Sequence, residues 1–305
     1  MYIYGPVPSR RLGFSLGIDI IPFKTCTFDC IYCQLGPTTR KTVKRKKYFS
    51  PKKILSAIKK TLSSGQRIDY ITFSGSGEPS LNSDIGNLIR EIKEITSIPV
   101  AVLTNGSLLS RERVRKDLSA ADLVVPSLDA AAQKAFVKTN RPHSSLKLGE
   151  IIEGLEKFRH EFKGSIWLEI MLVKGVNDSP PHLRRLKDAV AKIKPEKIHL
   201  NTVVRPPTEK FARPLSQREL ERIKKYFGEK AEIIAEFDKK AQKLSSEDLK
   251  KAILSIIQRR PVTLSDISAS LGAHKNEVIK YLNFLLEEGK IQRTSHKGLK
   301  YYELR

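Results

Sequence analysis

The sequence contains few thiols, and all of them lie close together. Its 305 residues include only three cysteines, Cys26, Cys30 and Cys33, within the segment "KTCTFDCIYCQL". An odd number of clustered cysteines argues against a disulfide framework and favours metal or redox chemistry.

Long apolar runs are absent as well. No stretch approaches the length needed to cross a bilayer, and the opening "MYIYGPVPSRRLG" lacks the apolar core of a secretory signal. The composition, 40% hydrophobic and 29% charged, is that of an ordinary globular protein rather than a disordered one. We therefore expect a cytoplasmic protein without a membrane partner.

Acidic residues are scarce relative to basic ones. The 56 Lys and Arg against 33 Asp and Glu give a net charge of +23, and the segment 40–60 has ten basic residues and no acidic one. A strongly basic protein attracts polyanions through counterion release, and nucleic acid is the commonest such partner. The alternative is that these lysines only keep the surface solvated.

Six short runs rich in β-branched residues alternate with amphipathic stretches. Because the runs are almost continuously apolar, they are typical of parallel strands covered on both faces. The strands are predicted at 15–22, 69–75, 98–106, 121–129, 165–173 and 197–204, and the helices at 50–65, 83–96, 110–118, 145–163, 180–193 and 216–228.

Right-handed connections between these six units predict an α/β fold, a partial (β/α)6 TIM-like barrel over residues 1–238. A flat doubly wound sheet remains the alternative, because the pattern does not distinguish open from closed sheets. In the first helix, Ser50 is predicted to cap the N-terminus and Pro51 to take the first helical position.

The last part of the chain has a different pattern. The polar segment 239–245 is predicted to be a linker, and residues 246–305 predict a helix, a helix-turn-helix and a hairpin around "HKG". This order is typical of a winged-helix domain. Such domains bind nucleic acid or mediate protein contacts, and both possibilities stay open.

The cysteines have the spacing C-x3-C-x2-C directly after the first predicted strand. Structural zinc takes four protein ligands, and the nearest histidine is the distant His143. A cubane iron–sulfur cluster has four irons, so three thiolates leave one iron open to another molecule. We favour a 4Fe–4S cluster held by Cys26, Cys30 and Cys33 over zinc or unliganded thiols.

With Tyr32 before the last cysteine, this motif resembles the C-x3-C-x-aromatic-C signature of radical S-adenosylmethionine (SAM) enzymes. The resemblance covers residues 1 to about 235. It implies a partial βα barrel, a 4Fe–4S cluster, SAM and an external one-electron donor. It also implies that Tyr32 lies beside the adenine of SAM, the alternative being that Tyr32 only packs against the loop.

The second predicted strand ends in "FSGSGEP". Its glycines allow a ligand to approach the backbone closely, and Glu78 offers a carboxylate. The segment resembles the GGE-type motif of the superfamily, which implies that Gly75, Ser76, Gly77 and Glu78 receive the methionyl ammonium of SAM. The alternative is an ordinary Gly-Pro turn.

Polar residues also follow the later strands. Asn105 in "LTNG" is either a turn residue or a contact to SAM. Ser127 and Asp129 in "PSLDA" are two apart and can share one face. They resemble positions that contact the ribose or the methionine carboxylate, although Asp129 could instead cap the next helix. The fifth and sixth strand regions carry the polar residues Glu169, Asn177, Asn201 and Arg205. The resemblance implies that these regions contact adenosine or substrate, and we choose Asn201 for that role.

Three further segments resemble those of a group related to wyosine-base tRNA synthetases. They are "GPVPSRRLGFSLGID", "FDCIYCQLGPTT" and "NTVVRPP". The resemblance implies that a 5′-deoxyadenosyl radical abstracts hydrogen from the substrate, and no catalytic side chain beyond the cofactor shell is nominated. Enzymes proven in wyosine synthesis use further cysteines for a second cluster, which this sequence lacks, so that reaction is not expected.

An RNA substrate, tRNA in particular, remains the leading expectation, with Arg10, Arg11 and the basic segment 40–60 as backbone contacts. Arg10 and Arg11 could instead pair with carboxylates of the barrel. Two alternatives are kept: the same chemistry on a protein or a small anionic metabolite, and a winged-helix nucleic-acid-binding regulator that carries an iron–sulfur cluster.

Overall fold

The protein is described here from a computed structural model, which covers residues 2–9, 11–234, 246–271, 275–296 and 298–305. Its strands are β1 (Ile3–Ser9), β2 (Gly13–Ile18), β3 (Thr25–Cys26), β4 (Arg40–Lys41), β5 (Tyr70–Phe73), β6 (Val100–Thr104), β7 (Leu123–Pro126), β8 (Ser165–Leu172), β9 (Lys197–Thr202), β10 (Ala231–Ile233), β11 (Val262–Thr263), β12 (Ile291–His296) and β13 (Leu299–Leu304). Its helices are α1 (Pro51–Leu62), α2 (Ile85–Ile95), α3 (Glu112–Leu118), α4 (Gln133–Asn140), α5 (Leu148–Glu161), α6 (Pro180–Ile193), α7 (Gln217–Phe227), α8 (Ser246–Ile257), α9 (Leu264–Leu271) and α10 (Lys275–Glu287).

The main sheet has eight strands in the order β1-β2-β5-β6-β7-β8-β9-β10. All neighbours from β2 to β10 are parallel, and only β1 runs antiparallel to its neighbour β2. The six predicted strands are confirmed. Two further strands, β1 and the three-residue β10, extend the sheet beyond the prediction.

One ion pair demonstrates that this sheet is curved. Arg11, just before β2, pairs with Glu169 in the middle of β8 at 2.9 Å. In a flat sheet, the four strand spacings between β2 and β8 would separate them by roughly 19 Å. The side chains could not meet across that distance, so the strands bend round. This mixed α/β arrangement is consistent with a TIM-like partial barrel.

The outer face of the sheet carries the main core. In β8, Ile166, Leu168, Ile170 and Leu172 are buried, and they belong to the cluster that the surrounding helices cover. The alternate side chains of β8, which include Glu169, lie on the opposite, inner face. The interior of the barrel is therefore partly polar.

The start of α1 differs in part from the prediction. Ser50 occupies the N-cap position and Pro51 the first turn, as expected, but the side chain of Ser50 makes no capping hydrogen bond. The carbonyl oxygen of Ser50 accepts hydrogen bonds from the amides of Lys53 and Ile54 instead. The backbone, with φ fixed by proline, therefore starts this helix without help from the serine hydroxyl.

Residues 246–305, called here the C-terminal segment, form helices α8 to α10 and a sheet in the order β11-β13-β12. Their own buried cluster includes Ile253, Val278 and Leu282, and it also takes in Val7 of β1. The hydroxyl of Tyr301 donates to the carbonyl oxygen of Val204, just after β9, at 2.8 Å. The segment therefore contacts the barrel near both ends of its strand order. The predicted linker at 239–245 lies outside the described residues.

The described helices include none that is both long and apolar enough to cross a bilayer.

We predict that Gly154→Ala in α5 destabilises the barrel. A Cβ at Gly154 would lie 2.4 Å from the backbone nitrogen of Ser110, whereas Gly149 in the same helix has no heavy atom within 4 Å. Overpacking costs about 1–3 kcal/mol, so the midpoint of urea unfolding should fall. Gly149→Ala is the matched control and should leave the midpoint unchanged or raise it, because alanine is the better helix former. Equal midpoints for the two variants would contradict this packing.

Candidate active site

The loop with the three cysteines rests on the turn that follows β5. The amide of Lys24 donates to the carbonyl oxygen of Ser76 at 2.7 Å, and the amide of Glu78 donates to that of Thr25 at 3.1 Å. A Cβ on Gly77 would lie only 1.9 Å from the carbonyl oxygen of Thr25. Glycine is therefore required at 77, because the two loops touch through their backbones.

Each cysteine sulfur has an N–H donor from a different part of the chain. Lys24 Nζ lies 3.2 Å from Cys33 Sγ, Asn105 Nδ2 lies 3.6 Å from Cys26 Sγ, and Asn140 Nδ2 lies 3.5 Å from Cys30 Sγ. Donors of this kind stabilise a thiolate more than a neutral thiol. The surroundings of the three sulfurs therefore suit metal-bound thiolates.

The thiols need a cation to ionise. Burial, followed by the charge of Glu78, raises the pKa of Cys26 to about 12. Burial, followed by the charge of Asp129, raises the pKa of Cys30 well above its usual range. A bound metal centre supplies the positive charge that deprotonates such thiols.

In the described part of the chain, no three His, Cys, Asp or Glu side chains are close enough to hold a single metal ion. In a cubane cluster each thiolate binds a different iron.

Glu78 joins the ends of two neighbouring strands. Its buried carboxylate accepts hydrogen bonds from Thr104 Oγ1 at 2.6 Å and from the amides of Asn105 at 2.7 Å and Ser80 at 3.0 Å. Burial raises the pKa of Glu78, while these donors lower it. The carboxylate thus fixes the mutual position of the β5 and β6 ends.

Asn105 is a turn residue, as one of its two interpretations has it, and it also bonds to the cysteine loop. Its Oδ1 accepts from the amide of Ser107 at 3.0 Å, as in a turn, and its Nδ2 donates to Thr27 Oγ1 at 2.7 Å within the cysteine loop. The turn after β6 is therefore tied directly to the three cysteines.

Asp129 and Tyr32 form a second cluster beside the cysteine loop. Tyr32 donates to Asp129 Oδ2 at 2.5 Å, Asn140 Nδ2 donates to the same oxygen at 2.7 Å, and the amide of Met171 donates to Oδ1 at 2.9 Å. Burial raises the pKa of Asp129 to about 6. The alternative that Asp129 caps the next helix is wrong, because Ala132 holds the N-cap position of α4.

Gly75 and Ser76 face Asp19, which follows β2. Ser76 donates to Asp19 Oδ2 through its hydroxyl at 2.5 Å and its amide at 3.2 Å. Gly75 has φ +134°, and a Cβ there would lie 2.8 Å from Asp19 Cγ. The conformation and the close approach both call for glycine at this position.

Ser127 and Asn201 both lie beside Glu169 of β8, Ser127 through its backbone and Asn201 through its side chain. Ser127 forms an isolated parallel bridge with Glu169, and Asn201 Nδ2 donates to Glu169 Oε1 at 2.8 Å. Arg11 also pairs with Glu169, in agreement with the alternative that it is a partner of a barrel carboxylate. Arg10 lies outside the described residues.

Several residues at the site were not predicted from the sequence. Asp19 and Lys24 flank the cysteine motif in the chain, and that proximity was a usable signal. Asn140 and Arg259 reach the site only through the fold, at distances of 110 and 183 residues from their partners Cys30 and Ser76. No local pattern could have marked them.

Comparisons with known proteins identify relatives over the whole chain. Residues 20–186 match the family described as the Radical SAM superfamily. UPF0026 protein MJ1312 of Methanocaldococcus jannaschii is 33% identical over 98% of this chain and 94% of its own length. GTPase Obg of Brachyspira hyodysenteriae is 40% identical over 98% of this chain, which spans 45% of that longer protein.

Among solved structures, that of TYW1 with a lysine-pyruvate adduct bound matches with a TM-score of 0.54. The match covers 73% of this chain and 75% of that one, at 17% sequence identity. At this level of identity the similarity concerns the fold.

We predict that Gly77→Ala reduces the capacity of the cysteine loop to hold iron. The added methyl group must displace the carbonyl of Thr25, which adjoins Cys26. After anaerobic reconstitution with iron and sulfide, the variant should contain much less iron than the wild type while keeping its far-UV circular dichroism. Gly149→Ala is the control and should bind iron like the wild type. A Gly77→Ala protein with full iron content would show that the backbone contact does not position the cysteines.

Proposed function

The chain belongs to the radical SAM superfamily, and we propose that it is an enzyme of this superfamily that modifies RNA, with tRNA as substrate. Radical SAM enzymes use a 4Fe–4S cluster and SAM, and they need an external one-electron donor. The RNA substrate is inferred from charge and from the sequence resemblance to the wyosine group.

The described residues fit these cofactors. Cys26, Cys30 and Cys33 would bind three irons of the cluster, leaving the fourth iron for the amino and carboxylate groups of SAM. When bound, the reduced cluster supplies the electron that cleaves a carbon–sulfur bond of SAM and gives a 5′-deoxyadenosyl radical.

The chain's own residues would position SAM. Gly75, Ser76 and Gly77 would present their backbone to the methionyl group, and Glu78 and Asn105 would hold that turn against the cysteine loop through the hydrogen bonds given above. Tyr32 and Asp129, fixed by their mutual bond, would form the wall beside the nucleoside. Ser127 and Asn201, which meet at Glu169, would face the substrate side of the barrel.

The observation that carries the RNA proposal is the exposure of the basic segment. Nine of the ten basic side chains in 40–60 are exposed to solvent. The exception is Arg45, which pairs with Asp117 at 2.7 Å and donates to the carbonyl oxygens of Ser80 and Asn82. An exposed patch with this charge supplies phosphate contacts of the kind that dominate affinity for nucleic acids.

The proposed modification differs from wyosine-base synthesis. Known enzymes of that reaction use further cysteines for a second cluster, and the three cysteines of this sequence all belong to one motif. The GTPase activity that the name of the Brachyspira protein implies is also not proposed, because the shared region has no G-x-x-x-x-G-K-S/T phosphate-binding loop.

We also propose the domain division 1–238, 239–245 and 246–305, with a winged-helix domain at the C-terminus. Its support is the order of α8, α9 and α10 followed by the β12–β13 hairpin, and the separate buried cluster of these elements. This small domain and the exposed basic segment would both be available for an RNA substrate.

The first test is the formation of 5′-deoxyadenosine. Reconstituted protein with dithionite and SAM should release it, whereas Cys30→Ser should not, because one cluster ligand is lost. Addition of bulk tRNA should stimulate the release more than a protein-free metabolite extract does. Stimulation by the metabolite extract alone would favour the small-molecule alternative, and no release from protein with an intact cluster would contradict the function.

The second test concerns the basic segment. The triple variant Lys44→Gln, Lys52→Gln and Lys53→Gln should bind tRNA more weakly, and the salt dependence of binding should fall by about one unit of slope per lost phosphate contact. The control removes three exposed lysines elsewhere, Lys134, Lys157 and Lys163, and should change tRNA affinity less. Equal losses for the two variants would indicate that only net charge matters.

A further inference from the structure

Lys24 is a buried lysine shortly before the first cysteine of the motif. Only 3% of its surface is exposed, although the long side chain of a lysine usually carries its ammonium group out to water. Its Nζ lies 3.2 Å from Cys33 Sγ, and within the described ranges of the chain it makes no ion pair with a carboxylate. The charge of Lys24 is therefore directed at a sulfur of the candidate cluster site.

The backbone holds Lys24 in this position. Its φ is +56°, in the left-handed region that residues other than glycine rarely adopt. Such a conformation persists where the surrounding contacts fix it. Here the amide of Lys24 donates to the carbonyl oxygen of Ser76 at 2.7 Å, and its carbonyl oxygen accepts from the amide of Arg40 at 3.0 Å. The residue is thus held between β4 and the turn after β5, with its side chain at the cysteine loop.

Lys24 differs in charge from the other two donors at the sulfurs. Asn105 and Asn140 bring neutral amide groups to the other two sulfurs, at 3.6 Å and 3.5 Å. Hydrogen bonds with a charged partner are roughly twice as strong as those between neutral groups. Of the three donors, Lys24 should therefore have the largest electrostatic effect on a group that the cysteines bind.

This charge affects the reduction potential of such a group. The potential of an iron–sulfur cluster is set by its net charge, by hydrogen bonds to its sulfurs and by its exposure to solvent. A fixed ammonium group stabilises the reduced form, which carries one more negative charge, over the oxidised form. The proposed reaction begins with electron transfer from an external donor, and a higher potential favours that transfer.

We propose that Lys24 raises the reduction potential of the cluster held by Cys26, Cys30 and Cys33, through the contact of its ammonium group with Cys33. This inference rests on the proposed function for the presence of the 4Fe–4S cluster. It goes beyond that function because it names a residue other than the ligands that sets how readily the site accepts an electron.

The test is a redox titration of the anaerobically reconstituted full-length protein without SAM, followed by electron paramagnetic resonance. Lys24→Met removes the charge and keeps a long, unbranched side chain. Reduction of its cluster should be about tenfold less favourable than in the wild type, which for one electron is a potential about 59 mV more negative. Lys24→Arg keeps the charge, so its potential should lie closer to that of the wild type.

Lys138→Gln is the matched control for loss of charge. Lys138 is exposed on α4, two residues before Asn140, and solvent screens a charge in such a position. Its removal should leave the potential unchanged. Equal potentials of wild type and Lys24→Met, or an equal shift in Lys138→Gln, would overturn the proposal.

The variants are compared at equal iron content, and Lys24→Gln gives a second reading if Lys24→Met holds less iron. Loss of the cluster from both variants would also overturn the proposal, because Lys24 would then be needed for assembly of the cluster and not for its potential.

Failure of this inference is distinguishable from failure of the proposed function. Release of 5′-deoxyadenosine by the wild type, together with an unchanged potential in Lys24→Met, would refute the role of Lys24 only. A more negative potential in that variant, without any release by the wild type, would refute the proposed reaction only.

Discussion

The candidate site depends on one backbone contact, the approach of Gly77 to the carbonyl oxygen of Thr25. In a parallel sheet the carboxyl ends of neighbouring strands lie at the same edge, so the loops after β2 and β5 have to share one space. They can do so because residue 77 has no side chain. The contact brings the three cysteines next to Glu78, and Glu78 in turn fixes the end of β6 through Thr104 and Asn105. The positions of the predicted cofactor-binding residues near the cysteines follow from this arrangement.

The barrel interior is organised by paired charges. Arg11 and Asn201 both bind Glu169, and Arg259 of the C-terminal segment binds Asp19. These pairs offset the desolvation of the buried carboxylates and set which side chains remain for a substrate. Because one partner in the Asp19 pair comes from the C-terminal segment, the barrel and that segment form one structural unit around the interior.

The sequence was informative where the signal is local. The six central strands follow from continuous apolar runs, and the spacing of the three cysteines marks the loop that the turn at Gly77 contacts. The sequence was less informative where structure depends on distant partners. Strand β1 has a sequence rich in glycine and proline and is held by pairing with β2. Helix α1 does not use the Ser50 hydroxyl, because the Ser50 carbonyl and Pro51 start the helix. Asn140 and Arg259 meet their partners only after folding, and the bond of Asn201 to Glu169 likewise joins residues that are 32 positions apart in the chain.

The central claim is that three cysteines hold an iron–sulfur cubane with one iron left for SAM. Mössbauer spectroscopy of anaerobically reconstituted, iron-57-labelled protein tests it most directly, because it separates irons by their ligands. The account predicts about four irons per chain, with a minority signal of roughly one quarter that changes when SAM is added. Four equivalent irons that ignore SAM, or purified protein that holds a single zinc ion in place of iron, would contradict it.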